Sequence, residues 1–291
     1  MAIRGTRWYS LLLAPMILVM GAVIGWPLIQ TFILSFTDSQ LMDVTKPMFV
    51  GFENFITGIK TQGFLDALKV SALFALVVVS SEMVLGTSVA LLLNEPFRGR
   101  NLVRALLILP WAVPTTVNAI MWRLIYNPEY GALNSLLFQF GFIEKYVSWL
   151  GSADKALGSV MFADVWKNFS LVAMIALASL QSLSDSQIEA AKIDGANAWQ
   201  RFRYITLPHL IPSLQVALVL RIIEAVKVFD IIYVMTKGGP ANKTRSGSIF
   251  VYQEAFTNSR MGSGAAYAII MVCLIMILIA FYLRNISRKE R

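Results

Sequence analysis

The chain has 291 residues, of which 57% are apolar and 14% charged, with a formal net charge of +8. A soluble domain of this length carries nearer about a quarter charged residues, and the apolar runs here reach bilayer-spanning length, which excludes a soluble globular class and defines a polytopic membrane protein. Cys273 is the only cysteine and His209 the only histidine, which leaves neither a disulfide framework nor a zinc site built from N and S ligands, and no basic run is interleaved with aromatics as a nucleic-acid surface requires.

Six apolar segments follow in chain order, at 9–36, 70–93, 103–126, 158–180, 210–235 and 265–283. Each is long enough for the roughly 20-residue helix that crosses a hydrocarbon layer. The first follows Arg4 and Arg7 and opens like a secretory signal, but it outruns a signal's apolar region and no small-x-small site closes it. It is expected to stay as an uncleaved first span. Pro15 and Pro27 interrupt the first segment, and Pro110 and Pro114 the third; neighbouring helices re-satisfy the backbone groups that such prolines free. Trp111, Trp122 and Trp149 are expected in the interfacial aromatic belts.

Orientation is read from the basic residues between the segments. One side collects Arg4, Arg7, Arg98, Arg100, Arg104, Lys192, Arg201, Arg203, Arg284, Arg288, Lys289 and Arg291. The other collects Lys46, Lys60, Lys145, Lys155, Lys237, Lys243, Arg245 and Arg260. The excess places both termini in the cytoplasm, and it explains the net charge without a nucleic-acid partner.

The inner loop at 181–209 is too long for a simple connector and too patterned for disorder. Ser184 to Gln187 and Ser186 to Glu189 both have capping-box spacing. Ile188 and Ala191 then give a small apolar helical face, and Gly195, after Asp194, suits a left-handed helix end. Asn197 is placed to cap a second helix carrying Trp199, Phe202 and Ile205, with Pro208 and Pro212 bounding the return to the membrane. Such a helix–Gly–helix elbow fits a groove on another protein and an interfacial position on lipid headgroups equally well.

The residues themselves resemble a known family. Glu189-Ala190-Ala191, three residues, Gly195, nine residues, then Ile205-x-Leu207-Pro208 is similar to the EAA loop of binding-protein-dependent ABC importer permeases, with every position filled. Ile108 to Pro114, Trp122, Asn127-Pro128 and Gly131 to Asn134 are similar to the third span and following outer loop of the carbohydrate-uptake, maltose-permease-like group. Phe229 to Thr236, Gly238-Gly239-Pro240, Gly262 and Ala265 to Ala268 resemble its C-terminal signature, so the likeness runs from about residue 10 to 285. It implies an all-α, type I ABC importer fold with six transmembrane helices and a cytoplasmic coupling-helix elbow, formed by one permease domain over 1–291. It also implies that Glu189, Ala190, Ala191, Asp194, Gly195, Phe202, Leu207 and Pro208 dock on the ATPase. The implied partners are a second, related permease, two ABC ATPase subunits that hold ATP and magnesium, an extracytoplasmic solute-binding protein and membrane lipid. The resemblance further implies that this chain needs no cofactor of its own, catalyses nothing, and lies in the bacterial cytoplasmic (inner) membrane.

Intramembrane charges point to the solute route, because each costs about 2.5–3.5 kcal/mol or more without a partner or a wet cavity. Arg221, Glu224 and Lys227 recur on one face of the fifth segment; they suit a self-satisfied packing ladder as well as a polar stripe along the route. Phe229, Asp230 and Tyr233 follow one turn on, a carboxylate between aromatics that suits sugar hydroxyls and ring faces or, equally, a structural turn of the gate. Asp164, Trp166, Lys167, Asn168 and Phe169 form a second polar-aromatic set in the fourth segment. Glu82 reads as a packing or subunit contact.

Three functions compete. A non-hydrolytic permease for a sugar or sugar derivative predicts no P-loop, and no G-x-x-x-x-G-K-[ST] occurs; an importer of a non-carbohydrate solute is a variant of the same reading. An ion-coupled secondary transporter calls for internal repeats, which the two halves lack, and has no use for a docking elbow. A membrane enzyme needs a catalytic constellation that one His, one Cys and scattered carboxylates do not supply.

Overall fold

The computed structural model of this chain describes residues 13–43 and 46–289. Arg4, Arg7 and Arg291 of the charge count, and the start of the first predicted span, lie outside the described residues. Among the described residues the chain is helical, with one isolated bridge between Thr37 and Phe49 as its extended pairing. Five helices are long and apolar enough to cross a membrane, and a sixth span results if one sharply bent pair counts as one.

The contacts define two units. The first joins residues 1–65 to 250–291. It contains α1 (Leu13–Leu34), the short α2 (Glu53–Lys60) and α12 (Met261–Lys289). A wide five-residue turn at Gly21–Gly25 interrupts α1 directly before Pro27, because a widened turn accommodates the ring and the missing N–H of a proline inside a helix. Asn54 ties the unit together: its Nδ2 donates to the carbonyls of Ser35 and Thr37 at 3.0 and 2.8 Å, and its Oδ1 accepts from Ser263 at 3.3 Å. Gly58 lets α2 approach α12 closely, since a Cβ there would meet Tyr267 at 2.7 Å.

The second unit spans residues 66–249. Its helices are α3 (Gln62–Asn94, whose first turn precedes the unit), α4 (Arg100–Ala112), α5 (Thr115–Ile125), α6 (Ala132–Gln139) and α7 (Ala156–Leu180). They continue with α8 (Asp185–Ile193), α9 (Ala198–Val226), α10 (Asp230–Met235) and α11 (Gly247–Tyr252), which runs on past the unit's end. Buried Phe74, Val78, Trp122, Val160, Ile231 and Ile232 lie in one cluster, while Leu93, Leu177 and Leu210 lie in a second near the elbow. Lipid is as apolar as these side chains, so close packing rather than water exclusion holds such helices together. Gly86 on α3 shows it, since a Cβ there would lie 2.6 Å from the Val172 Cβ on α7.

Three expected spans come out differently. α3 begins at Gln62 rather than near residue 70 and is about 50 Å long. The third span is two helices bent by 96°. Val113 is extended (φ −69°, ψ 129°) because a residue before proline is driven from the helical region, and Pro114 caps α5. The fifth starts at Ala198 and ends at Val226 instead of running 210–235, with Phe229 at φ −134°, ψ −64° separating α9 from α10. No proline marks that break. Its freed carbonyls find distant donors: Ser248 Oγ bonds Lys227 O at 3.0 Å and Ser246 Oγ bonds Val228 O at 2.8 Å. Pro208 and Pro212 lie inside α9, and the turn before Pro208 widens over Phe202–Thr206 as in α1.

Candidate functional site

The site grows from one residue, Arg221, in the second-last turn of α9. Its guanidinium is 2% exposed and donates to three carboxylates. Nε and Nη2 grip Glu82 of α3 at 2.6 and 2.9 Å, Nη2 reaches Asp164 of α7 at 3.2 Å, and Nη1 pairs with Glu224 one turn along α9. Glu82 is wholly buried, Asp164 is buried, and Glu224 is exposed. The planar guanidinium grips Glu82 with two N–H groups in a fixed fork, a bidentate geometry an ammonium cannot make, and keeps donors for Asp164 and Glu224. The pairing fastens three spans together and supplies each buried charge with a counter-charge.

Beside this hub lies a cavity of about 270 Å³, at the break between α9 and α10. Asp164, Lys167 and Asn168 line it from α7, Glu224 from α9, and Lys227, Phe229 and Asp230 from the break. Lys167 Nζ donates to the carbonyl of Trp111 at 3.4 Å, close to the end of α4, and Trp111 and Thr115 complete that wall. Glu224, Lys227 and Asp230 are exposed. The cavity therefore presents carboxylate acceptors, an ammonium donor and the ring of Phe229 within one small volume. Such a lining suits a polar, hydrogen-bonding solute.

Six of the eight residues expected along the route, Asp164, Asn168, Glu224, Lys227, Phe229 and Asp230, line this cavity. Trp166 and Tyr233 do not. Trp166 packs edge-on to Trp122 at 5.7 Å between centroids, against the main core cluster, and Tyr233 stacks on Phe229 at 5.2 Å and 15°. Sequence reasoning missed the hub. Glu82 and Arg221 are 139 positions apart, and the signal available was that each segment held a charge needing an opposite partner.

At the other end of α9 stands the elbow. α8 ends in a full Schellman closure: Ala196 N donates to Ala191 O at 2.9 Å and Gly195 N to Lys192 O at 3.1 Å, with Gly195 at φ +80°. Asn197 caps the next helix in a reciprocal box with Gln200, at 2.9 and 2.8 Å. Ser184 caps α8 without a side-chain bond to the helix, because its hydroxyl pairs with Ser186 at 2.7 Å, so the expected Ser184–Gln187 box is not formed. Glu189, Ala190, Asp194 and Pro208 are exposed, and Ala191, Phe202 and Leu207 are half-buried. Ile193, Trp199 and Tyr204 are 86, 68 and 75% exposed. The elbow is charged and helical and holds three large apolar side chains in the open, a surface that fits a protein groove or a layer of lipid headgroups.

Comparison with known proteins places this architecture. Residues 82–291 match the family described as binding-protein-dependent transport system inner membrane components. The trehalose/maltose transport system permease protein MalF of Thermococcus litoralis is 39% identical over 281 residues, 97% of this chain and 94% of that one. The sulfoquinovosyl glycerol transport system permease protein SmoG of Agrobacterium fabrum is 34% identical over 295 residues, 99% of this chain and 95% of that one. In fold, the chain is similar to a subunit of a bacterial alginate ABC transporter solved with its alginate pentasaccharide-bound periplasmic protein, at a TM-score of 0.85 and 22% identity over 99% of this chain and 96% of that one. The fold and the relatives define the class, a membrane subunit of an ABC importer of type I fold. The chain belongs to the binding-protein-dependent transport system inner membrane components, as a permease.

Proposed function

We propose that this chain forms, with a second related permease, the transmembrane route of an ATP-driven importer for a sugar or sugar derivative brought by an extracytoplasmic binding protein. The observation that carries the reading is α9, an unbroken helix from the exposed elbow at Ala198 to the charged cavity at Val226. At 1.5 Å per residue it spans about 43 Å, so a push on the elbow is passed toward the cavity along one continuous helix. Two ATPase subunits hold ATP and magnesium, grip Glu189 to Gly195, and by closing rock the attached spans so that the route opens outward. ATP hydrolysis belongs to those subunits. The whole of 1–291 works as one permease domain, with both termini in the cytoplasm, in the cytoplasmic membrane.

The carbohydrate class is supported by the relatives, named for trehalose/maltose and for sulfoquinovosyl glycerol, and by a lining that combines Glu224, Asp230 and Lys227 with the aromatic Phe229. ATP hydrolysis by the reconstituted complex tests it, measured with the binding protein and a panel of neutral and anionic sugars. Stimulation by one loaded binding protein is the expected result. A fully assembled complex that no sugar stimulates refutes the carbohydrate assignment.

A further inference from the structure

His209, the single histidine of the chain, follows Pro208 on α9 and does not line the cavity. Its ring reaches across to the end of α7. Nε2 lies 2.9 Å from the carbonyl oxygen of Ser179, in the last turn of that helix, and 3.1 Å from the hydroxyl of Ser182. A carbonyl only accepts, so Nε2 carries the ring hydrogen and donates. The Ser182 hydroxyl donates to the same carbonyl at 2.8 Å. The last carbonyls of a helix have no partner within it, and here one of them is served from another span.

The place of this bond gives it a mechanical consequence. α9 continues from the elbow as one helix, but residues 181–184, between α7 and α8, are not helical, so the covalent link from the elbow to α7 is the pliant one. The hub supplies a second tie between the same two helices, where Arg221 meets Asp164. At 1.5 Å per residue the two ties are about 22 Å apart along α7 and about 18 Å apart along α9. Packed helices slide past one another by small amounts, and helices joined at one point pivot about it. Joined at two, they keep their register and their angle. On the reading that the ATPases grip the elbow, we propose that His209 is a positioning residue for transport, a clasp across the base of the elbow that makes α7 follow α8 and α9. The movement of α7 matters because this helix brings Asp164, Lys167 and Asn168 to the cavity. It also holds the wall formed by α4 and α5, through Lys167 on Trp111 O and Asn118 on Ala163 O.

The test uses the assembled transporter, with its partner permease and ATPases, in liposomes loaded with ATP, magnesium and vanadate. Binding protein and a membrane-impermeant maleimide are added outside. Cys273→Ser removes the one native thiol of this chain, and Thr115→Cys places a reporter in the cavity wall that α7 holds. With His209 in place, trapping the ATPases closed is expected to raise labelling at position 115 above that in liposomes without nucleotide. His209→Ala should cut this rise about two- to tenfold, the factor one hydrogen bond sets on an equilibrium, at equal trapped nucleotide per complex and unchanged size-exclusion elution. His209→Phe, a ring without a donor, should fall with it. His209→Gln, which keeps an N–H at similar reach, should restore the rise, which a need for the ring itself would not allow. A full rise in His209→Ala or His209→Phe, or a His209→Gln complex no better than these, overturns the clasp and leaves the gripped elbow standing. No rise even with His209 in place refutes the gripped elbow, and the clasp falls with it.

Discussion

Arg221→Met is the most informative perturbation of the hub. It strands Glu82, which has no exposed surface and no other partner among the described ion pairs, and removes the charge facing Asp164 and Glu224. Breaking a buried pair from one side costs about 3–5 kcal/mol, because the remaining charge is left uncompensated. Glu82→Met does the reverse: Arg221 keeps Asp164 and Glu224, and the loss approaches the about 1.5–3 kcal/mol of charge-assisted hydrogen bonds. The double variant lacks the stranded carboxylate and should recover about 2 kcal/mol over Arg221→Met alone. Unfolding by sodium dodecyl sulfate in mixed micelles, followed by circular dichroism, measures all three. If Glu82→Met is as damaging as Arg221→Met, or the double variant is no more stable than Arg221→Met, Arg221 is not the hub.

Other outcomes follow from single positions. Gly195→Val forces a β-branched residue to φ +80°, costing about 1–2 kcal/mol; open space surrounds the site, so membrane insertion should be spared while uptake driven by ATP is lost, and Gly195→Asn should retain most of it. Asp230→Ala should lower solute uptake with the complex intact, as co-purification of the subunits would report, and full uptake removes Asp230 from the route. Trp166→Ala should lower stability by about 3–5 kcal/mol, through lost packing on Trp122, before it alters the solute concentration at half-maximal uptake. Gly86→Leu should prevent α3 and α7 from closing, and its yield of folded protein should fall far below that of Gly158→Leu, where a Cβ meets nothing within 4 Å.

Much of this was legible in the residues, and the exceptions share a cause. The elbow is a local object: Gly195, Asn197 and the spacing of Glu189 to Pro208 act through backbone conformation and hydrogen bonds a few residues apart, so one stretch of chain specifies it. The Pro114 kink is local too, though its sharpness depends on how α4 and α5 pack. The break at Lys227–Phe229 is not local. Hydropathy runs straight through it, and the serines that satisfy its carbonyls arrive eighteen or more positions later. The Glu82–Arg221 pair is the extreme case, because a charge in an apolar run announces the need for a partner without naming it. Trp166 and Tyr233, expected along the solute route by residue type, pack on Trp122 and Phe229 and are not in the cavity lining.

The bend between α4 and α5 bears on how the protein is made. At 13 and 11 residues the two arms reach about 20 and 17 Å, and neither alone crosses a hydrocarbon layer of about 30 Å. What settles them comes later in translation: Ala163 O accepts from Asn118, and Lys167 serves the carbonyl of Trp111, both from α7. The nascent chain therefore presents the insertion machinery with a segment whose place in the bilayer is not yet secured. The contacts that fix the pair form only once α7 has been made, so the packing of this portion is completed out of the order in which it is synthesised.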